Sequence, residues 1–542
     1  MAPRDANLLK SSISLVGLQL FSRLFTFGLN QTLFRLVSPS AYGTAAIQFE
    51  FMLSTILFLS REGVRNTLLR AHEDKMKAKS GVTNLSFLPI ALGIPLAILM
   101  TSLYGTHARR EVQQQPHFTI SIWIYALAAF VELLSEPMHN TAMSELRTDV
   151  RVKAEGLGVT VKTVLTFLVL YYDSRHPSGG DVALLAFALG QLSYSVCVVA
   201  KYIAHYGARH LVPKISPHIK DKGQALLDPS LLGLSMSMTI QSVVKHFLTE
   251  GDKFILSWFS PLQDQGGYAI AVNYGSLIAR IGFQPVEETL RVFFSRTLSP
   301  PIQENTSAAL RPKQEGLITA ARTLISLLAI QISFSLLLIA FAPPYLPLLL
   351  RVLLPPRYLE TSAPIVLRAW IYYIPFLAIN GGLEAFVSSV ARPTDLARQS
   401  RFMALFSALY ISTAVAFYRF TTLGDASLVY ANIINLSARI AYCIHFTSRY
   451  YSSNNSKQIL SWPRASPPIP FLLATVVSGW MVRMNSQEIQ VAESDLGLRF
   501  LFRRGTISHI GYGAALSVIC LSIWWKTQAH FISMTLPRKK ES

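Results

Sequence analysis

The sequence predicts an all-α membrane protein with about 14 transmembrane helices in two parallel-repeat bundles around a central cavity. Of its 542 residues, 51% are apolar and only 15% are charged, whereas a soluble domain carries about 25% charged residues. The mean hydropathy is +0.36. Apolar windows of roughly 18–27 residues, long enough to cross a bilayer, recur along the chain between short polar breaks. This pattern excludes a cytosolic multidomain enzyme and a disordered or collagen-like chain.

The apolar windows give the predicted spans in order. The first is too long for the h-region of a cleavable signal peptide, so we expect it to stay in the protein. A proline-rich segment, 343–360, is predicted to form a re-entrant or interfacial loop, because proline lacks the N–H that a regular helix uses. The predicted spans are 11–37, 43–60, 82–104, 117–137, 156–172, 181–203, 231–259, 266–283, 317–342, 361–383, 402–418, 423–446, 467–483 and 507–525.

The loop charges and a weak internal repeat predict the topology. With an even number of spans both termini lie on one side, and roughly three quarters of the loop Lys and Arg residues share that side, which the positive-inside rule places in the cytosol. A repeat at an offset of about 222 residues brings Arg23 onto Lys245 and Asn30 onto Asp252, with both copies starting on the same side. The predicted domains are an N-terminal lobe at 1–206, a cytosolic linker at 207–230, a second lobe at 231–446, and two further spans with a cytosolic tail at 447–542.

Several charged side chains fall inside predicted spans. A lone charge at membrane depth is costly, so each must face a cavity or a partner. We predict that the cations line a basic cavity between the two lobes, suited to an anion such as a pyrophosphate or a carboxylate. For single residues structural pairing is the alternative, for example of Lys253 with Glu250 at i+3. The predicted substrate-binding residues are Arg23, Lys162, Lys245, Lys253 and Arg280.

A basic segment ends the second predicted span. Arg61 and Arg65 stand one helical turn apart with Glu62 between them, and Glu287 and Glu288 occupy the corresponding place in the second repeat. We predict that the two groups form salt bridges across the cytosolic mouth of the cavity and hold it shut. The alternatives are ordinary anchoring of basic flanks at the membrane surface and contact with lipid phosphate.

The sequence predicts no enzyme, cofactor or metal site. It lacks a P-loop, HExxH, GxSxG, and a GxGxxG that follows a strand. The cysteines Cys197, Cys443 and Cys520 lie far apart inside apolar windows, which predicts neither disulfides nor zinc. The net charge of +19 comes from residues between apolar windows, so we expect membrane lipid and not nucleic acid as the partner.

Short motifs in both halves of the chain carry a family resemblance. The motifs are Arg23-Leu-Phe-Thr-Phe-x-Leu-Asn30, Phe58-Leu-Ser-Arg61-Glu62-x-x-Arg65, Ser135-Glu136-Pro137, Thr249-Glu250-Gly251, Phe283-Gln-Pro-Val-Glu287-Glu288, Ala378-Ile-Asn380-Gly381-x-x-Glu384-Ala-Phe386 and Ala431-Asn432-x-x-Asn435-x-x-x-Arg439-Ile. Together they resemble the endoplasmic-reticulum oligosaccharide translocation protein family. That family belongs to the multidrug, oligosaccharidyl-lipid and polysaccharide exporter superfamily, which includes the bacterial flippase MurJ. The resemblance extends from the first span to about Tyr451.

The resemblance implies a fold and a function. The fold is two bundles of six or seven helices around a central cavity. The function is to move Man5GlcNAc2-pyrophosphoryl-dolichol from the cytosolic to the lumenal leaflet of the endoplasmic reticulum for N-glycosylation. Asn380, Glu384, Asn432 and Arg439 match its second-half motifs, with a role that the resemblance leaves open. Two other classes stay open: a non-transporting accessory or lipid-binding factor of N-glycosylation, and a secondary drug or cation antiporter.

The C-terminal tail predicts the compartment. Lys539 and Lys540 resemble a dilysine retrieval signal that a cytosolic coat reads, and the alternative is an ordinary basic flank after the last span. Retrieval would place this multi-pass protein in the endoplasmic reticulum membrane with its tail in the cytosol, in agreement with the loop charges.

Overall fold

The computed structural model of the protein describes most of the chain, and the regular elements in the described part are all helices. They divide into two compact units, Met1–Ala269 and Ile270–Ser542. The described residues are 28–74, 84–145, 147–176, 182–212, 229–298, 314–486 and 498–533.

The first unit consists of helices joined by short connections, with residues 28–36 helical ahead of them. Its elements are α1 (Pro39–Gly43), a π-helix (Thr44–Phe49), α2 (Glu50–Asp74), α3 (Leu88–His107), α4 (Arg110–Gln113), α5 (Phe118–Leu133), α6 (Glu136–Ser144), α7 (Thr148–Ser174), α8 (Ala183–Tyr206), a 3-10 helix (Ala208–Leu211), α9 (Pro229–Thr249) and α10 (Gly251–Phe259).

The second unit also consists of helices joined by short connections, and α11 begins in the first unit and ends in the second. Its elements are α11 (Leu262–Ile278), a π-helix (Ala279–Phe283), α12 (Gln284–Leu298), α13 (Gln314–Leu353), α14 (Pro356–Leu359), α15 (Ala363–Val390), α16 (Pro393–Phe420), α17 (Ala426–Ser453), 3-10 helices at Lys457–Ile459 and Trp462–Ala465, α18 (Ile469–Ser486), a 3-10 helix (Leu498–Phe502) and α19 (Arg504–Ser533).

Eleven helices in the described part of the chain are long and apolar enough to cross a membrane, and each coincides with a predicted span. The predicted spans 231–259 and 266–283 are also helical, but their helices do not meet the combined criteria of length, hydropathy and low charge that the eleven meet. Span 11–37 lies mostly outside the described residues, so the total of 14 and the repeat stay predictions. The eleven are Pro39–Leu68, Leu88–His107, Phe118–Ser144, Thr148–Ser174, Ala183–Tyr206, Gln314–Leu353, Ala363–Val390, Thr394–Phe420, Ala426–Ser453, Trp462–Ser486 and Arg504–Gln528.

The outer faces of these helices expose large apolar side chains. On α3, for example, Ile98 and Leu99 are 52% and 53% exposed. A soluble monomer rarely exposes contiguous apolar surface on this scale, whereas lipid tails solvate it at no cost. The exposed apolar side chains therefore agree with a multi-pass membrane protein.

The loop predicted at 343–360 is wrong for residues 343–353, which are helical. Helix α13 runs without a break from Gln314 to Leu353, with three prolines inside it. A proline leaves the carbonyl four residues earlier without its helical donor. The Ile339 oxygen, which Pro343 leaves free in this way, accepts a hydrogen bond from Arg483 Nη2 on α18 at 3.5 Å. A membrane helix keeps its prolines where a neighbouring helix satisfies the freed carbonyl, as here.

Aromatic side chains join four helices in the core of the second unit. Phe386 on α15 packs edge-on against Phe294 on α12, with ring centroids 5.3 Å apart, and stacks on Tyr451 on α17 at 5.9 Å. The Tyr451 hydroxyl donates to the Leu317 carbonyl of α13 at 3.2 Å. All three rings are fully buried, so these contacts fix the relative positions of the four helices.

In the first unit, the chain around α1 crosses the start of α11 with the two backbones in contact. A Cβ on Gly43 would lie 2.6 Å from a backbone oxygen of α11, and a Cβ on Gly266 would overlap the carbonyl oxygen of Pro39. Beside the crossing, Gln48 Nε2 donates to Gln265 Oε1 at 2.8 Å. Only glycine permits this approach, so the crossing depends on the two glycines.

We expect Gly266→Ala to destabilise the protein by about 1–3 kcal/mol, because the new methyl group meets backbone that cannot move away as a flexible side chain can. The matched control is Gly156→Ala on α7, where a Cβ meets nothing within 4 Å and alanine is the better helix former. Thermal unfolding of the purified protein in detergent measures both. Equal thermal unfolding midpoints for the two variants would contradict the close backbone contact at Gly266.

Candidate binding cavity

A cavity of about 560 Å3, lined by charged and apolar side chains, lies in the first unit. Helices α2, α5, α7, α8 and α9 and the residue after α9 line it. Its charged lining residues are Glu50, Arg61, Glu62, Arg65, Glu132, Lys162 and Glu250. Among the described lining residues four carboxylates outnumber three cations, whereas the sequence predicts a basic cavity. The predicted cavity also includes Arg23 and Lys245, whose side chains are not described, and Arg280, which lies in the second unit.

The two arginines are paired by a ladder of ion pairs between α2 and α5–α6. Arg61 Nη1 lies 2.7 Å from Glu132 Oε1. Arg65 donates to Glu136 twice, from Nε at 2.9 Å and from Nη2 at 2.6 Å, and the Glu136 side chain is fully buried. The two arginines are four residues apart, and so are the two glutamates. Each arginine therefore lies opposite one glutamate.

The start of α6 brings Glu136 to this position. Helix α5 ends at Leu133, and α6 begins at Glu136 with Pro137 in its first turn, where the missing N–H costs no helical hydrogen bond. The matching i, i+4 spacing of the arginines and glutamates is a signal in the sequence that could have indicated the ladder.

Lys162 is the cation of the lining that forms no ion pair within the described residues. Its ammonium donates to Gln191 Oε1 at 2.5 Å, an uncharged partner on α8. Gly190 makes this contact possible, since a Cβ there would overlap Thr166 Oγ1 and would lie 3.2 Å from the Lys162 carbonyl. Glu50 and Glu62 also lack ion-pair partners within the described chain, although Asn66 Nδ2 approaches Glu62 Oε1 at 3.4 Å.

Aromatic rings on two sides of the cavity are held in place. Phe58 stacks on the His246 ring with centroids 4.7 Å apart, and His246 Nε2 is hydrogen-bonded to Thr55 Oγ1 at 2.9 Å. Tyr194 on α8 lies against Gly158 of α7, where a Cβ would come within 2.7 Å of the ring. The cavity therefore has fixed aromatic surfaces as well as charged groups.

Of the other predicted cations, the structure describes the side chains of Lys253 and Arg280, and neither is among the described lining residues. Lys253 pairs with Glu250 at 2.8 Å, as the pairing alternative predicts. Arg280, in the second unit, is exposed and donates to the backbone and side-chain oxygens of Asn273, both at 3.1 Å. Lys245 lies on α9, with its side chain outside the description, and Arg23 lies outside the described residues. Nothing here tests the binding role assigned to these four residues, which stays a prediction.

The acidic half of the predicted gate lies in the second unit. Glu287 pairs with Arg291 on the same helix at 2.8 Å, and Glu288 accepts from Gln284 Nε2 at 3.1 Å. Burial raises the pKa of the Glu287 carboxyl, and the Arg291 charge acts against this shift. Arg61 and Arg65 are paired inside the first unit, so each half of the predicted gate has local partners, and the gate itself stays a prediction.

The second-half motif residues form a polar cluster between α15 and α17. Arg439 Nη2 contacts both carboxylate oxygens of Glu384, at 2.8 and 2.9 Å, and Asn380 Nδ2 donates to the same carboxylate at 2.8 Å. Asn432 accepts from Asn435 at 3.0 Å one helical turn further along α17. The family motif thus corresponds to an interhelical ion pair, which stabilises the contact of the two helices.

We expect Glu136→Ala to destabilise the protein by about 3 kcal/mol, because it removes a fully buried carboxylate and leaves the partly buried Arg65 without its counter-charge. Thermal unfolding in detergent and the amount of protein in membranes measure the effect. The control is Glu155→Ala, which removes a pair with Arg151 whose side chains are 45% and 43% exposed, and here we expect about 0–1 kcal/mol. Similar losses in both variants would show that the ladder is not buried.

Comparison with solved structures defines the class of protein. The lipid II flippase MurJ in an inward closed conformation matches with a TM-score of 0.58, over 95% of this chain and 99% of that chain, at 13% identity. An inward-facing multidrug resistance MATE family transporter of the MOP superfamily matches with a TM-score of 0.51, over 79% and 95%, at 12% identity. The protein therefore has the same helical fold as these two membrane transporters.

The chain belongs to the Rft protein family, whose family model matches residues 7–537. The Man(5)GlcNAc(2)-PP-dolichol translocation protein RFT1 of Yarrowia lipolytica is 34% identical over 492 residues, covering 82% of this chain and 70% of that protein. The protein of the same name from Schizosaccharomyces pombe is 32% identical over 499 residues, covering 88% of each. That from Saccharomyces cerevisiae is 31% identical over 477 residues, covering 80% and 81%.

Proposed function

We propose that the protein moves Man5GlcNAc2-pyrophosphoryl-dolichol from the cytosolic to the lumenal leaflet of the endoplasmic reticulum membrane, for use in N-glycosylation. The observation that carries this proposal is the cavity with charged lining residues inside a membrane-crossing helical unit. The names of the relatives, which are translocation proteins for this lipid, also support the proposal.

The physical problem that such a protein solves is desolvation. The head group carries a pyrophosphate and many hydroxyl groups, and hydrocarbon offers them no hydrogen-bond partners. A cavity with carboxylate, ammonium and amide groups replaces part of their hydration while the dolichol chain stays in lipid. The proposed step makes and breaks no covalent bond, so it requires neither a catalytic group nor a cofactor.

The proposed orientation has both termini in the cytosol, since the loops on that side carry most of the Lys and Arg residues. Retrieval of the protein to the endoplasmic reticulum through Lys539 and Lys540 belongs to the same proposal. Both lysines lie outside the described residues.

We expect the purified protein, reconstituted in vesicles with fluorescent Man5GlcNAc2-pyrophosphoryl-dolichol, to make the inner-leaflet lipid accessible to a glycan-binding lectin outside. Matched vesicles without protein, and vesicles with heat-denatured protein, are the controls, since spontaneous crossing of this head group is very slow. Lectin capture against time is the measurement. Capture no faster than in the controls would favour the accessory role over transport.

A cation antiporter is the second candidate. Glu50 and Glu62, which form no ion pair with any described residue, favour it, because carboxylates in a membrane cavity bind protons and cations. The same vesicles test it when they carry a pH-sensitive dye. Proton flux that depends on the protein and on an added organic cation would support the antiporter, and lipid transport without such flux would exclude it.

A further inference from the structure

The charges of the first-unit cavity are poorly suited to a pyrophosphate. The two arginines, which are the side chains best shaped for phosphate, are already bonded to carboxylates at 2.6–2.9 Å. Glu50 and Glu62 face the same cavity without ion-pair partners within the described residues. Among the described lining residues, a dianion placed there would meet these two carboxylates and one available ammonium, that of Lys162, so repulsion from these groups would outweigh attraction to them.

The same groups are well suited to an uncharged polyol. Carboxylate oxygens accept strong hydrogen bonds from hydroxyl groups, and Glu50 and Glu62 supply four such oxygens. Lys162 on α7 and the amide of Gln191 on α8 add donors. A hydroxyl group both donates and accepts, so it satisfies either kind of partner without bringing a charge.

The aromatic rings complete the match. Phe58, stacked on His246, and Tyr194, seated on Gly158, have fixed orientations. A sugar ring presents a flat face of C–H groups, which can pack on the face of an aromatic ring. Because the aromatic rings are already fixed, this contact costs little side-chain conformational entropy. The volume of about 560 Å3 falls within the range of roughly 300–1,000 Å3 of small-molecule sites, so it can hold part of an oligosaccharide.

We propose that this cavity binds sugar rings of the glycan, through Glu50, Glu62 and the Lys162–Gln191 pair, and that it does not bind the pyrophosphate. The inference rests on the proposed function, because the glycan is part of the proposed cargo. It assigns the cavity to one portion of the head group and leaves the pyrophosphate to other residues.

A binding experiment with opposite expectations tests the inference. The probes are the free heptasaccharide Man5GlcNAc2, which has no phosphate, and farnesyl pyrophosphate, which has no sugar. In the full-length protein in nanodiscs, the double variant Glu50→Gln with Glu62→Gln should weaken heptasaccharide binding at least about fivefold, because neutral acceptors bond more weakly than charged ones. Its binding of farnesyl pyrophosphate should be unchanged or tighter, because two negative charges are gone.

The matched control is Glu111→Gln, which neutralises an exposed carboxylate of the first unit outside the cavity and should leave both affinities unchanged. Unaltered heptasaccharide binding in the double variant, or a selective loss of farnesyl pyrophosphate binding, would overturn the inference.

A second variant keeps the inference testable if the double variant does not fold. Ser54 lines the cavity, and Ser54→Cys is nearly isosteric. In a Cys197→Ser background, the heptasaccharide should slow maleimide labelling of this variant severalfold, and farnesyl pyrophosphate should not. Protection by farnesyl pyrophosphate and not by the heptasaccharide would contradict the proposal.

The two proposals can fail separately. Heptasaccharide protection without lipid transport in vesicles would uphold the glycan site and refute the transporter. Lipid transport without heptasaccharide protection would uphold the transporter and refute the glycan site.

Discussion

Burial of charge within a membrane bundle is the constraint on which the first unit depends. An arginine at this depth must be paired, and a carboxylate that is fully buried must be paired as well. The ladder of Arg61 and Arg65 with Glu132 and Glu136 meets both requirements at once and joins α2 to α5 and α6. Because the ladder engages both arginines, it also determines which charges remain available to the cavity.

The remaining charges give the cavity its chemical character. Two carboxylates and one lysine with an amide partner form a hydrogen-bonding surface that suits hydroxyl groups better than an anion. A transporter of a lipid-linked oligosaccharide has to accommodate both a glycan and a pyrophosphate. Separate positions for the two would let one protein hold a head group whose parts have different electrostatic requirements.

The sequence was sufficient for the larger part of the fold, because lipid imposes a length and a hydropathy on every spanning helix. Eleven predicted spans coincide with candidate spans in the described chain. The exception was 343–353, within the loop that proline content alone indicated. Whether a proline breaks a helix depends on what satisfies the freed carbonyl, and the donor, Arg483, is 144 residues from Ile339 in the chain.

The site was less predictable, for a similar reason. Charges inside spans were correctly recognised as needing partners, and the pairing of Lys253 with Glu250 followed from their spacing. The partners of Arg61 and Arg65 are 71 residues away. The matching spacing of four residues is the sequence signal for this pairing, and the packing of helices brings the two pairs together. Of the cations predicted to bind substrate, Lys253 is neutralised by an ion pair within the described residues.

A double-mutant cycle on Arg65 and Glu136 tests the central claim most directly, since it isolates the coupling of one buried pair. The free energy of unfolding in detergent is measured for Arg65→Ala, Glu136→Ala, the double variant and the wild type. The account predicts a coupling of roughly 2–3 kcal/mol, near the upper end of the range for interacting residues. Effects that add to within about 0.5 kcal/mol would contradict it, because arginine and glutamate would then be solvated independently.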